Sequence, residues 1–195
     1  MPKATTRRER RGTKHSTGRT RAGVRERQAV FAPWRLEFLL RPKDQGCFLC
    51  NAAKLPADDE AAWKKMLLLH RDEHALIIMN RYPYTAGHLL ITPLRHTADF
   101  PGLQGAESHA LWEQARLCVF VLQKVMQPQG FNVGMNLGKA GGAGIEEHLH
   151  LHAIARWVGD ANYWPVISGT HTIPVALEQL WEELRPEFVR LGTTR

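Results

Sequence analysis

Apolar residues in this chain gather into runs of strand length and, in two places, return at helical spacing. His74-Ala-Leu-Ile-Ile-Met-Asn80 and Gly87-His-Leu-Leu-Ile-Thr-Pro93 flank the turn-rich connection Arg81-Tyr-Pro-Tyr-Thr-Ala-Gly87. They predict an antiparallel pair of strands. Leu111, Ala115, Cys118, Leu122 and Val125 fall at i, i+4, i+7, i+11 and i+14, which predicts a core-facing helix over 106–126. Cys118 on that stripe reads as a small buried hydrophobe. Residues 131–137 and 148–156 alternate with a period near two, and the Gly-rich run Gly138-Lys-Ala-Gly-Gly-Ala-Gly144 between them predicts strand, loop, strand. A last helix is expected over 174–191, with Leu177, Leu180, Trp181 and Leu184 on its inner face. Upstream, Phe31-Ala-Pro-Trp-Arg-Leu-Glu-Phe-Leu-Leu40 opens the ordered part, with a short helix expected after Pro33. Cys47-Phe-Leu-Cys50 sits in a turn-like context beside Gly46, and 51–59 reads as loop. Mixed helices and antiparallel hairpins without a repeat indicate an α+β fold.

Composition narrows the class. A chain of 195 residues that is 44% hydrophobic is long enough for one compact domain with a real core. Three cysteines cannot staple a disulfide scaffold, which excludes a small secreted protein and favours a reducing compartment. No run approaches the length of a membrane-spanning helix and no secretory signal opens the chain, so a soluble, cytoplasmic protein is expected. The formal net charge of +7 is unevenly placed: residues 1–30 carry +8 and the rest carries −1. That segment has almost no large apolar residue before Val30 and is expected to be a disordered basic tail preceding a domain at 31–195. It suits an electrostatic arm for nucleic acid or another polyanion, a merely solvated extension, a misassigned start codon or, less well, an organelle transit peptide.

The chemistry concentrates in Glu147-His-Leu-His-Leu-His-Ala153. In an extended strand His148, His150 and His152 would stand on one face, with Leu149, Leu151 and Ala153 on the other. A lone buried histidine is usually structural, whereas three in strict alternation point to metal binding or catalysis. The preceding glycines let backbone N–H groups surround an anion; by themselves they read first as a plain flexible hairpin loop, and beside three histidines they become a candidate phosphate cradle. An imidazole can attack phosphorus and later leave as a neutral group, so it can carry a nucleotidyl group.

His148-Leu-His-Leu-His-Ala-Ile154 resembles the His-x-His-x-His signature of the histidine triad (HIT) superfamily of nucleotide hydrolases and transferases. The likeness extends to Asn80-Arg-Tyr-Pro-Tyr-Thr-Ala-Gly-His-Leu-Leu-Ile-Thr-Pro-Leu-Arg-His96. With Gly142-Ala-Gly-Ile-Glu-Glu-His-Leu-His150, Arg156-Trp, Gly159-Asp-Ala-Asn162 and Phe31-Ala-Pro-Trp-Arg35, it is similar to the branch containing diadenosine tetraphosphate phosphorylases (ATP adenylyltransferases). It covers about residues 31–175; Ala155 replaces a frequent proline, and the basic tail has no counterpart.

The resemblance implies a HIT-like fold: a mostly antiparallel sheet of about five strands, a long core helix and a C-terminal helix. It implies that His150 takes up AMP as a nucleotidyl-histidine, that His152 contacts phosphate and assists the leaving group, and that His148 completes the triad. Gly144 and Ile145 backbone N–H groups, with Asn136, would bind phosphate oxygens, Asn80 would sit at the ribose, and His88 would lie behind the catalytic strand and orient it. The substrate would be a dinucleoside polyphosphate, with inorganic phosphate as acceptor in a phosphorylase and water in a hydrolase. A homodimer is the usual assembly, and a tetramer is an alternative. A different class stays open, a nucleotide- or nucleic-acid-binding module without catalysis.

Cys47-x-x-Cys50 has the spacing of half a tetrahedral zinc site. In zinc-containing relatives the partners would correspond to His96 and His148, making a structural zinc tied to the catalytic strand. Two ordinary free thiols are the alternative, and a thioredoxin-like redox pair is disfavoured because no parallel βαβ pattern follows.

Overall fold

The computed structural model describes residues 46–160 and 175–192. The basic segment 1–30, the domain start at 31, the helix expected after Pro33 and the segment 161–174 lie outside the described residues.

Five strands form one antiparallel sheet: β1 (Leu68–Arg71), β2 (Ala75–Met79), β3 (His88–Pro93), β4 (Gly130–Met135) and β5 (Leu151–Arg156), in the order β1-β2-β3-β5-β4. The predicted hairpin is β2–β3, in register from Ala75 opposite Pro93 to Met79 opposite Leu89. All its residues are buried, so both sheet faces are covered there. Among the described residues four helices accompany the sheet: α1 (Phe48–Ala53), α2 (Glu60–Met66), α3 (Gly105–Met126) and α4 (Leu177–Gly192).

The predicted stripe on α3 packs inward: Leu111, Ala115, Cys118 and Leu122 are buried, and Val125 is packed at the margin of the core. On α4 the buried face is Leu180, Trp181, Leu184 and Phe188, with Trp181 Nε1 donating to Leu68 O at 2.8 Å. Gly87 closes the β2–β3 turn at φ +74°, and a Cβ there would lie 2.8 Å from Met126 Sδ, so this turn meets α3 closely.

Three features depart from the sequence reading. The Cys47–Cys50 segment is the start of helix α1, with Cys47 at the N-cap, rather than a turn leading into a loop. Elements α2 and β1 occupy a stretch the hydropathy pattern left unassigned, divided by Leu67 in the left-handed conformation at φ 63°. Strand β5 begins at Leu151, so His148 and His150 precede it. The physical reason is local: the Leu149 amide donates to Thr97 O at 2.8 Å, and Thr92 Oγ1 donates to Leu149 O at 2.7 Å, which takes Leu149 out of the ladder.

Candidate active site and metal centre

Register places His88 opposite Ile154, Leu90 opposite His152 and Gly134 opposite His152 from the other side. These residues share one face of the sheet, while Leu89, Ile91, Ala153 and Ala155 point toward α3. On the first face the imidazoles of His88, His150 and His152 form one cluster. The His150 and His152 rings are 5.0 Å apart and the His88 and His152 rings 5.1 Å apart.

Hydrogen bonds order the protons of this cluster. The Tyr84 backbone N–H donates to His88 Nδ1 at 3.1 Å, which makes Nδ1 an acceptor and leaves the proton on Nε2. His88 Nε2–H then donates to His152 Nδ1 at 2.8 Å, so the remaining His152 proton sits on Nε2. That Nε2 is buried and has no partner among the described residues. Next to it, His150 Nδ1–H donates to His148 O at 2.9 Å, leaving a lone pair on His150 Nε2. Burial, then the neighbouring imidazoles, lowers His88 to about 3; burial, then His150, lowers His152 to about 4. Both are neutral near pH 7, as the tautomer chain requires.

His148 is turned away from this cluster. Its Nε2–H donates to Pro93 O at 2.9 Å, which leaves the Nδ1 lone pair directed at Cys47 Sγ (3.2 Å), Cys50 Sγ (3.6 Å) and His96 Nδ1 (3.3 Å). Cys50 Sγ is in turn 3.3 Å from His96 Nδ1. All four donor atoms lie within 4.8 Å of one another. Burial pushes His148 below the usual imidazole range, keeping the ring neutral. Two thiol protons, on Cys47 and Cys50, can satisfy the His148 and His96 lone pairs only pairwise and weakly, whereas a metal ion would meet all four donors at once. The four residues can therefore hold a metal. The expected row of three equivalent imidazoles is divided: one ring serves the candidate metal centre, and two face the reaction side with His88.

The loop before the triad folds as its glycines require. Gly142 has φ +86°, and a Cβ on Gly141 would collide with the Leu137 carbonyl. Gly142 N donates to Lys139 O and Ala143 N to Gly138 O, while the amides of Gly144 and Ile145 donate no hydrogen bond among the described residues. Asn136 Nδ2 donates to Gly142 O at 3.4 Å, placing its amide against the loop. Asn80 is occupied: Nδ2 donates to His88 Nδ1 at 3.2 Å, and Oδ1 accepts from Tyr82 N at 2.9 Å.

Several contributors carry no side-chain signature in sequence, namely the Pro93 and His148 carbonyls and the Tyr84 amide. Arg95, which the sequence reading did not single out, acts through its side chain: it pairs with both oxygens of buried Glu107 at 2.7 Å, and this guanidinium holds the carboxyl at about 2. Glu107 Oε2 also accepts from Gln104 N at 2.8 Å, so the pair fastens the loop carrying His96 to the start of α3. Among the described residues no helix is long and apolar enough to cross a membrane.

Comparison with known proteins gives a consistent picture. The HIT domain family matches residues 64–158. The chain is 31% identical to a protein of Mycobacterium tuberculosis named AP-4-A phosphorylase, over 84% of this chain and 85% of that one. Its fold is similar to that of a zinc-bound histidine triad family protein from Mycobacterium smegmatis, at TM-score 0.59 and 22% identity, covering 77% of this chain and 98% of the other. A histidine triad nucleotide-binding protein from Sulfolobus tokodaii shares the fold at TM-score 0.56 and 20% identity, covering 75% and 94% of the two chains.

Proposed function

Because the chain belongs to the HIT family, on the side of its AP-4-A phosphorylases, we propose that it transfers a nucleotidyl group from a dinucleoside polyphosphate to inorganic phosphate through a nucleotidyl-histidine. The observation that carries this reading is the proton order: an accepting Nε2 on His150 beside a donating Nε2–H on His152. His150 Nε2 attacks the α-phosphorus of diadenosine tetraphosphate; an N–P bond forms, the P–O bond to the leaving chain breaks, and ATP departs. His152 Nε2–H hydrogen-bonds the leaving oxygen as its charge grows. The free amides of Gly144 and Ile145, with Asn136, receive the oxygens of the attacked phosphate, a preorganised set of donors. Inorganic phosphate then attacks the adduct from solvent, giving ADP and restoring His150. Asn80, fixed against His88, sits at the ribose.

Water in place of phosphate makes the same site a hydrolase. Feeding purified protein diadenosine tetraphosphate with and without phosphate separates the two: phosphate-dependent ADP marks phosphorolysis, and AMP plus ATP without phosphate marks hydrolysis. His150→Ala is expected to lower turnover by at least ~10³-fold and to abolish the acid-labile adduct. Full activity in that variant would overturn the mechanism.

Cys47, Cys50, His96 and His148 are read as ligands of a structural zinc ion. In a tetrahedron with Zn–N of about 2.05 Å and Zn–S of about 2.3 Å, N···N edges are about 3.3 Å and N···S edges about 3.6 Å. The observed separations of 3.3 Å for N···N and 3.2 to 3.6 Å for N···S fit that frame. When bound, the ion supplies a cross-link between the start of α1, the loop after β3 and the residue whose carbonyl orients His150.

The same reading includes a homodimer, supported by the exposed edge position of β4 and by Trp112, 55% exposed on α3; light scattering tests it. The +8 charge of residues 1–30 favours a second activity, retention of nucleic acid. Deleting that segment is expected to leave catalysis intact and to remove salt-sensitive RNA or DNA binding.

A further inference from the structure

A groove of about 230 Å³ runs beside His152 over the outer strand β4, lined by Tyr84, Asn132, Gly134, Asn136, His152 and Ile154 among others. The scheme above uses only its His152 and Asn136 end and gives the part over β4 no role. Its floor is Gly134, where a Cβ would meet nothing within 4 Å. One wall is aromatic: Tyr84 is 52% exposed, and its ring stacks on His152 at 6.1 Å and 19°. Among the described residues no carboxylate, ammonium or guanidinium lines the groove, and Asn132 Oδ1 is occupied by Arg156 Nη1 at 2.7 Å. The groove therefore suits a neutral heteroaromatic group better than a phosphate chain.

Its position follows the expected path of the leaving group. His150 does not line the groove, whereas His152, 8% exposed and with its Nε2 unpartnered, does. In-line displacement expels the leaving oxygen on the side of phosphorus opposite the nucleophile. The departing chain therefore passes His152 toward β4. In a dinucleoside polyphosphate that chain ends in a second nucleoside.

We propose that the β4 groove is the subsite for the second, departing nucleoside, and that Tyr84 is its stacking platform and a specificity-determining residue. The inference rests on the nucleotidyl-transfer reading and adds to it the half of the substrate that is not attacked. Tyr84 thereby favours substrates carrying a base at both ends of the phosphate chain.

The test is the ratio of kcat/KM for diadenosine tetraphosphate to that for adenosine 5′-tetraphosphate, which keeps the phosphates and lacks the second adenosine. Measured on the full chain, this ratio is expected to fall about tenfold in Tyr84→Leu and to persist in Tyr84→Phe. Taking the ratio cancels any damage to the shared chemistry from removing a ring beside His88. An unchanged ratio in Tyr84→Leu overturns the proposal. If the wild-type protein turns over neither compound, the transfer reading falls, and calorimetric binding of the same two ligands judges the groove by itself. Tighter binding of the dinucleotide, lost in Tyr84→Leu, supports the subsite; equal binding by wild type and variant overturns it.

Discussion

The two side-chain clusters on either side of the His148 backbone use the same residue type for opposite ends. In the first, donors from α1, the loop after β3 and His148 converge within 4.8 Å of one another, an arrangement that can hold a cation. In the second, the Tyr84 amide, His88 and His152 form one donor chain ending in an N–H without a partner among the described residues, and His150, set separately by the His148 carbonyl, keeps a lone pair on Nε2. The difference lies in what occupies the other ring nitrogen. A carbonyl on Nε2 turns the Nδ1 lone pair of His148 toward the cysteines, a carbonyl on Nδ1 leaves a lone pair on Nε2 of His150, and a neighbouring imidazole makes His152 a donor. His148 belongs to both clusters, with its ring in one and its carbonyl in the other.

The largest effect should come from removing the sulfurs. A Cys47→Ser/Cys50→Ser protein is expected to lose all bound zinc by elemental analysis, starting from about one ion per chain, and to melt about 10 °C lower. It should keep part of its turnover, because the His148 carbonyl still accepts from His150. Retained zinc in that variant would break the distinction between the clusters. His88→Leu should do the reverse, lowering turnover about 100-fold with zinc content unchanged, since the tautomer of His152 is then unset. Unaltered turnover would show that His152 needs no help in holding its proton.

How much of this was legible in the sequence depends on where each signal resides. The α3 stripe and the β2–β3 pair show in hydropathy because burial there is continuous. Helix α1 does not, being six residues long with no side-chain cap, too short for a period. In α2 only Trp63 is buried, so no amphipathic stripe exists to find, and its end is marked by Leu67 rather than by the usual glycine. The triad is plain in sequence, yet strict alternation suggested one shared face; the Leu149 amide bonded to Thr97 prevents that. Cys47 and Cys50 announce a half-site by spacing. His96 and His148 join them only through resemblance, because their convergence depends on long-range pairing of β3 with the β5 segment. The Pro93 and His148 carbonyls and the Tyr84 amide, which decide every tautomer, belong to the backbone and have no residue code.

The smallest predicted effect follows from those tautomers and separates the clusters by pH. His88 at about 3 and His152 at about 4 bind protons more weakly in the fold than in the unfolded chain, where an imidazole titrates near 6.5. The unfolded state therefore takes up protons first as pH falls. The stability these groups contribute is present above about 6.5 and is lost progressively toward their folded values. Between pH 6.5 and 5.5 the loss should be about 1 kcal/mol per histidine. The groups facing His88 are His152, His150, Asn80 and Tyr84, with no carboxylate to rescue a charged ring. Chemical denaturation in the Cys47→Ser/Cys50→Ser background, where ligand protonation cannot release metal, should show this acid limb. Adding His88→Leu should lower its slope without abolishing it, because burial also lowers His152, His148 and His70, and an unchanged slope would mean that the buried His88–His152 pair is already charged in the folded protein.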